Sequence, residues 1–579
     1  MSRPGEADDA GRVVEVMTDA LAHRGPDDRG VWMDAPAGIA LGHRRLSVID
    51  LSPLGHQPMA SASGRWVVSF NGEIYNFKEL GKELEGAGRR LRSHCDTEVL
   101  VEAIDAWGLR AALRRANAMF SLAAWDRQEG ELHLARDRVG EKPLYYGRAG
   151  RHFVFGSELK ALTAHPHFIR RVDRDALALY MRHNCVPAPY GIYEGVSKLR
   201  PGHSVVVRQA GHGVDCSAQA SWWSPEEILP HAAGDGTRGG AEARRRLEDL
   251  LVDAVRLRTV ADVPVGAFLS GGIDSSLVAA LMTECSARVR TYTIGFEHRG
   301  FDESADARRV ARWLGTDHTE AVVGTAEAQS VIPELPGLYD EPFADSSQIP
   351  TLLVSRLARQ QVTVALSGDG GDELFAGYNR HLWWQRFAGR LERVPVPVRR
   401  AAAAALGAPS PDAIEWAFGR LARVLPAARV RNPSLKVRKV ADILALPAHD
   451  AYLRLVSHWP DPGSVVNGAR QVPTLVWTNG SGPHVAGRVE QILYLDLVTY
   501  LPDDILTKVD RATMAVGLEG RLPLLDHRVL EAAWQLPMSM KIRGGETKHI
   551  LRQILYSRVP RELADRPKMG FGVPLRQWL

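Results

Sequence analysis

The stretch V-P-V-G-A-F-L-S-G-G-I-D-S-S, Val263 to Ser276, runs from an apolar segment into Ser270-Gly271-Gly272 and then into Ile273-Asp274-Ser275-Ser276, which opens a helix-forming run. Two adjacent glycines let the backbone approach an anion. The hydroxyls of Ser270, Ser275 and Ser276 can donate to phosphate oxygens, and the new helix aims its free N–H groups at the same point. A carboxylate in such a turn repels phosphate unless a cation lies between them, so Asp274 predicts Mg²⁺ on a nucleotide pyrophosphate. A second Gly-rich loop, Ser367-Gly368-Asp369-Gly370-Gly371-Asp372-Glu373, holds three carboxylates that would repel one another without a cation. Asp274 and Asp372 are therefore the expected Mg²⁺ pair. The G-x-x-x-x-G-K-[ST] pattern is absent, so this is a phosphate turn of another kind.

The first half of the chain carries three further polar groupings: His43 to Asp50 (H-R-R-L-S-V-I-D), Asn71 to Asn76 (N-G-E-I-Y-N) and Ser93 to Glu98 (S-H-C-D-T-E). Arg45 has the shape to fork onto an α-carboxylate, and Glu73 and Asp96 can accept from an α-ammonium. Asn71 and the Gly72 N–H can hold an oxyanion. Together these describe a site for a free amino acid.

The elements that must position these groups are of two kinds. Up to residue 215 the pattern predicts a helix at Val13 to Leu21 and short strands at Gly38 to Leu41, Leu46 to Leu51, Trp66 to Phe70, Phe120 to Trp125, Glu131 to Ala135 and His152 to Phe155. Helices are predicted at Phe77 to Glu85 and Thr97 to Trp107. Residues 216–240, rich in Ser, Pro, Gly and Ala, read as a linker. From 241 to 579, strands at Val263 to Leu269, Val289 to Phe296, His318 to Val323 and Val362 to Leu366 alternate with helices at Glu303 to Leu314 and near Gln329 to Tyr339. That alternation predicts a parallel sheet with ligands beyond its strand carboxyl ends. An Ala- and Arg-rich stretch, about 380–487, reads as a helical insertion. Lys508, Asp510, Arg511, Glu519 and Arg521 are suited either to internal ion pairs or to substrate contact.

The S-G-G-x-D-S-S turn resembles the pyrophosphate loop of ATP pyrophosphatases. H-R-G-P-D (His23 to Asp27), R-L-S-V-I-D, N-G-E-I-Y-N, C-D-T-E, R-D-R-V-G-E-K-P-L-Y-Y and F-G-S-E-L-K-A-L resemble the glutaminase domain of glutamine-hydrolysing asparagine synthetases. The S-G-D-G-G-D-E loop, Tyr339 to Ser347, Tyr500 to Asp526, Glu546 to Arg552 and Lys568 to Pro574 are similar to the synthetase half of that family. The resemblance implies an N-terminal-nucleophile-type αββα sandwich followed by an α/β parallel-sheet domain, an α+β half and an α/β half. It implies ATP and Mg²⁺, with aspartate and either glutamine or ammonia as substrates, and it allows a homodimer. Glutamine is held in the family at the positions of Arg45, Leu46, Ser47, Val48, Ile49, Asn71, Gly72, Glu73 and Asp96. ATP is held at those of Leu269, Ser270, Gly271, Gly272, Asp274, Ser275, Ile294, Ser367 and Gly368. Asp369 matches a position linked to forming the aspartyl adenylate, and Lys548 a lysine near the reacting phosphate.

One departure stands out. The family nucleophile is a cysteine directly after the initiator Met, in Met-Cys-Gly-Ile, whereas this sequence begins Met-Ser-Arg-Pro. The expectation is a shortened polypeptide that makes amide from ammonium without hydrolysing glutamine. A β-lactam synthetase-like ligase, which also lacks that cysteine, has no reason to keep Arg45, Asn71, Glu73 and Asp96. A non-catalytic regulatory protein has none to keep Ser270, Asp274, Asp372 and Lys548. The 579 residues, 45% hydrophobic and 24% charged, exceed one ordinary core. A net charge of +4 gives no reason to expect a nucleic-acid partner. Four scattered cysteines, no N-terminal apolar leader and no membrane-length apolar run point to a cytoplasmic protein.

Overall fold

The computed structural model describes residues 6–210, 213–229, 240–297, 302–391, 393–424, 433–444, 446, 448–475, 485, 487–565, 572–573 and 578. Most of the K-M-G-F-G-V-P motif at 568–574 lies outside these residues.

The first half is four layers deep. Helix α1 (Glu6–Asp19) precedes a hairpin of β1 (Asp28–Asp34) and β2 (Ile39–Arg45). The main antiparallel sheet is built from β3 (Trp66–Ile74), β4 (Ala118–Asp126), β5 (Glu131–Arg136) and, later in the chain, β9 (His203–Ala210). A smaller sheet joins β6 (Tyr145–Ala149), β7 (His152–Gly156) and β8 (Val196–Lys198). Period-2 alternation decides which side chains go where. Val67, Ala123 and Leu134 point from the main sheet toward Leu41, Phe153 and Phe155 of the hairpin and the smaller sheet. Val68, Phe70 and Leu122 point the other way, onto α2 (Phe77–Gly86) and α3 (Asp96–Trp107). Helix α1 covers the outside of the smaller sheet through Val13 and Met17 against Tyr145 and Val154. The order helix, sheet, sheet, helix is the expected αββα sandwich.

The Leu46 to Leu51 run is a loop and not the expected strand. Asp50 sits at φ 59°, and the guanidinium of Arg45 gathers the carbonyls of Ile49, Asp50 and Ser52, curling the segment so that Val48 and Ile49 still reach the core.

The second half contains a fully parallel sheet in the order β12 (Asp317–Val323), β11 (Arg290–Phe296), β10 (Val265–Phe268), β13 (Val364–Leu366) and β14 (Glu519–Arg521). Helix α4 (Gly240–Arg258) leads in, and α5 (Ile273–Cys285), α6 (Ser304–Leu314) and α7 (Gln348–Arg359) connect the strands. The helix expected near Gln329 to Tyr339 is instead two short helices, Thr325–Ser330 and Leu335–Tyr339, parted by the Pro333 turn. Among the described residues, 379–456 form helices at Asn379–Leu391, Val396–Gly407, Pro411–Val424, Pro433–Leu444 and Ala448–Val456, with short turns before and after the second of them. Asp496–Ile505 is wound as a π-helix with Pro502 inside it and runs into α8 (Leu506–Met514).

The halves meet over buried charge. Arg24, from the H-R-G-P-D motif, donates to Asp510 at 2.8 and 2.9 Å and to Glu158 at 2.7 Å. Arg511 pairs with Glu158 at 2.7 Å, and Asn117 donates to Asp526, which also pairs with Arg258. Among the described residues no helix is long and apolar enough to cross a membrane.

Candidate active sites

Two clefts gather the residues singled out in the sequence. The first, about 440 Å³, lies beyond the carboxyl ends of β10, β11 and β13. Leu269, Ser270, Gly272, Asp274, Ser275, Ile294, Ser367, Gly368, Asp369, Asp372 and Lys548 all line it. Gly271 does not line it, but it makes the turn possible. Its φ is +70° and a Cβ there would come within 2.9 Å of the Ala307 nitrogen. The loop is pre-shaped from within, the Ser270 N–H donating to Ser275 Oγ at 3.1 Å and the Gly272 N–H to Ser270 Oγ at 3.3 Å. The second loop packs directly onto it, since a Cβ on Gly368 would sit 2.7 Å from the Ser275 nitrogen.

Lys548 ties the loops together. It holds φ 54°, at the start of α9 (His549–Leu555), and its ammonium contacts both Asp274 and Asp372, the latter at 2.6 Å. Burial opposes its charge, but the two carboxylates outweigh burial and keep its pKa above the usual lysine value. Burial and then Asp372 raise Glu373 to about 7, while its carboxylate accepts from the Tyr378 hydroxyl. Among the described residues no three metal-ligating side chains converge. The donor set is instead a pair of carboxylates facing one cation, which fits an ion completed by substrate phosphates, the usual habit of Mg²⁺.

The far wall of this cleft was only partly legible in the sequence. Tyr500 and Lys508 come from the π-helix and α8, and Asp345, Ser346 and Ser347 from the loop before α7. Lys508 pairs with Asp345 at 3.1 Å, and Ser347 donates to the same carboxylate from its N–H and its hydroxyl. Beside them Asp504 is 5% exposed, and burial, then Asp345, raise its pKa well above the ordinary aspartate value.

The second cleft, about 400 Å³, opens between β2 and β7 over β3 and β4. It is lined by Arg45, Leu46, Val48, Ile49, Asn71, Gly72, Glu73 and Asp96, but not by Ser47, whose N–H is held by Asp27 at 2.7 Å. Arg45 differs from expectation. Its Nη atoms donate to the carbonyls of its own loop, so it shapes that loop and presents no free fork. Asn71 donates to Ser157 Oγ at 3.2 Å. Asp96 accepts the Ile74 N–H at 2.9 Å, and burial pushes its pKa up to about 6. Glu73 is raised well above its ordinary value by burial and then by Glu519, against the pull of Arg521. Met514 and Glu519 of the second half complete this wall, a contribution that no local motif signals.

Comparison with known proteins agrees with this division. A family model described as a glutamine amidotransferase domain matches residues 3–223, and one described as asparagine synthase matches residues 246–579. Asparagine synthetase (glutamine-hydrolyzing) 1 of Bacillus subtilis (strain 168) is 32% identical over 586 residues, covering 99% of this chain and 85% of its own. A putative asparagine synthetase (glutamine-hydrolyzing) of Mycobacterium tuberculosis (strain ATCC 25618 / H37Rv) is 34% identical over 600 residues, covering 99% of this chain and 86% of its own. Amidase chry2 of Gibberella zeae is 28% identical over 618 residues, covering 99% and 87%. With one model spanning more than half of its length and relatives above 30% identity aligned almost end to end, the chain belongs to the asparagine synthase family and carries a glutamine amidotransferase domain ahead of its synthase domain.

Proposed function

We propose that this protein is a ligase converting aspartate to asparagine at the expense of ATP, and that the observation carrying the reading is the meeting of Asp274, Asp372 and Lys548 between two phosphate-binding loops. An oxygen of the aspartate β-carboxylate attacks the α-phosphorus, the bond from that phosphorus to the bridging oxygen breaks, and pyrophosphate leaves with the electron pair. Ammonia then attacks the acyl carbon of β-aspartyl-AMP, loses a proton, and AMP departs. Leu269 and Ile294 hold the nucleoside, while Ser270, Ser275 and the α5 N-terminus cradle the pyrophosphate. Lys548 faces the charge that grows on the leaving pyrophosphate, and Asp369, accepting from Ser367 at 2.5 Å, stands at the acceptor side. Asp274 and Asp372 would hold Mg²⁺, which neutralises phosphate charge when bound.

The amidotransferase cleft binds glutamine, with Glu73 and Asp96 receiving its α-ammonium. Burial raises both groups, Asp96 to about 6 and Glu73 well above its ordinary value, so glutamine affinity is expected to fall as pH drops through about 6, approaching tenfold per unit below it. Calorimetric titrations between pH 5 and 8 check this, and a flat profile would remove Asp96 from the site. The overall reading is tested by pyrophosphate release with a panel of carboxylic acids plus ammonium. Aspartate is expected to drive release, and release with another acid but not aspartate would overturn it.

A further inference from the structure

Arg521 lines neither cleft, but it is wholly buried between them and bonds to lining residues of both. Its Nη2 lies 3.0 Å from Glu73 of the amidotransferase cleft, and its Nε donates to Glu519, a wall residue of the same cleft, at 2.7 Å. Its Nη1 donates to the carbonyls of Arg258 and Val260 at 3.0 and 2.7 Å. On the other side its own carbonyl accepts the N–H of Ser367 at 2.9 Å, in the β13–β14 register that pairs Leu366 with Arg521. Ser367 is the first residue of the acidic loop and donates in turn to Asp369. A single residue thus touches the amino-acid cleft with its side chain and the ATP loop with its backbone.

The charge balance around it is incomplete. Two carboxylates, Glu73 and Glu519, share one guanidinium, and Glu73 Oε2 is buried with no hydrogen-bond partner among the described residues. Glu73 itself lines the cleft, so an arriving ammonium would meet an unpartnered carboxylate oxygen and favour the ionised form of Glu73, which burial and Glu519 otherwise oppose. Arg521 is then left to Glu519 on its own strand and to the Arg258 and Val260 carbonyls, which fixes β14 against β13 and the Ser367 N–H in place.

We infer that Arg521 is a positioning residue that couples the two clefts, so that an α-amino acid bound at Glu73 and ATP bound at the Ser367 loop tighten each other. The inference rests on the glutamine and ATP readings given above. Linkage requires the same factor in both directions, at least about fivefold for a coupling of ordinary size.

The test is calorimetry on the full chain without aspartate, titrating glutamine with and without Mg-ATP and ATP with and without glutamine. Wild type should show equal, mutual tightening. Arg521→Lys keeps the charge and loses the fork, and Glu519→Gln removes the competing carboxylate. Each is expected to bring the factor to within about twofold of unity, a change that a purely structural role would not produce in a variant of unchanged melting temperature. Independent binding of both ligands in wild type would overturn the coupling and leave both site readings standing. Failure of either ligand to bind would overturn that site's reading together with the coupling. Undiminished coupling in a folded variant of either kind would remove Arg521 as its carrier.

Discussion

Lys548→Ala is expected to slow single-turnover pyrophosphate release by about a hundredfold or more while ATP affinity falls only modestly. The ammonium is positioned before substrate arrives, gripped by Asp274 and Asp372 and held by the left-handed backbone that starts α9. A fixed charge of this kind acts most strongly where negative charge increases along the reaction, on the departing pyrophosphate. An affinity defect with an unchanged chemical step would reassign Lys548 to binding. Because the three side chains form one cluster, their losses should not add. Asp372→Asn alone is expected to abolish most turnover, and combined with Lys548→Ala it should cost much less than the two single effects together. Circular dichroism of each variant separates this from misfolding.

Arg24→Ala should lower stability by about 3–5 kcal/mol, the usual consequence of removing one partner from a buried ionic group. It leaves Asp510 and Glu158 facing each other with fewer cations; Arg24 and Asp510 are both under 6% exposed at the side chain, so water cannot compensate. The pH dependence follows in sign. Burial alone would raise Asp510, but Arg24 outweighs burial and holds it below its ordinary value, and Arg511 and Arg24 do the same for Glu158. Depressed carboxylates stabilise the fold above their unfolded pKa, near 4, and lose that contribution as pH falls toward the folded value. The difference between wild type and Arg24→Ala should therefore be full at pH 7 and shrink below about pH 4. Denaturant midpoints at several pH values measure it, and a constant gap would show that Arg24 acts by packing alone.

What could be read in advance was whatever lay close together along the chain. The phosphate turn, the acidic loop and the strands that deliver them are contiguous, and their glycines and hydroxyls have few other uses. Asp345, Tyr500 and Lys508 meet in one wall although Asp345 and Tyr500 lie 155 positions apart in the chain, and no local pattern encodes that meeting. The Leu46 to Leu51 run shows the opposite failure. Its apolar spacing suited a strand, but Arg45 captured two of the run's carbonyls, those of Ile49 and Asp50, and that of Ser52 just beyond it. Arg24 carried a recognisable motif whose role lay in the other half of the molecule, and that role became visible only once Asp510 stood opposite it.

The charged seam between the halves also limits how this protein can be re-engineered. Cutting near residue 235 and keeping only the synthase half would expose Asp510, Arg511 and Arg521 without Arg24, Glu158 and Glu73, so an ammonia-only miniature would need those positions redesigned as apolar or surface residues. Grafting the amidotransferase half of a relative onto this synthase half would succeed only with donors that keep the reciprocal set. The seam acts as a key shared by the two modules, and compatibility among natural halves should follow those six positions more closely than overall identity.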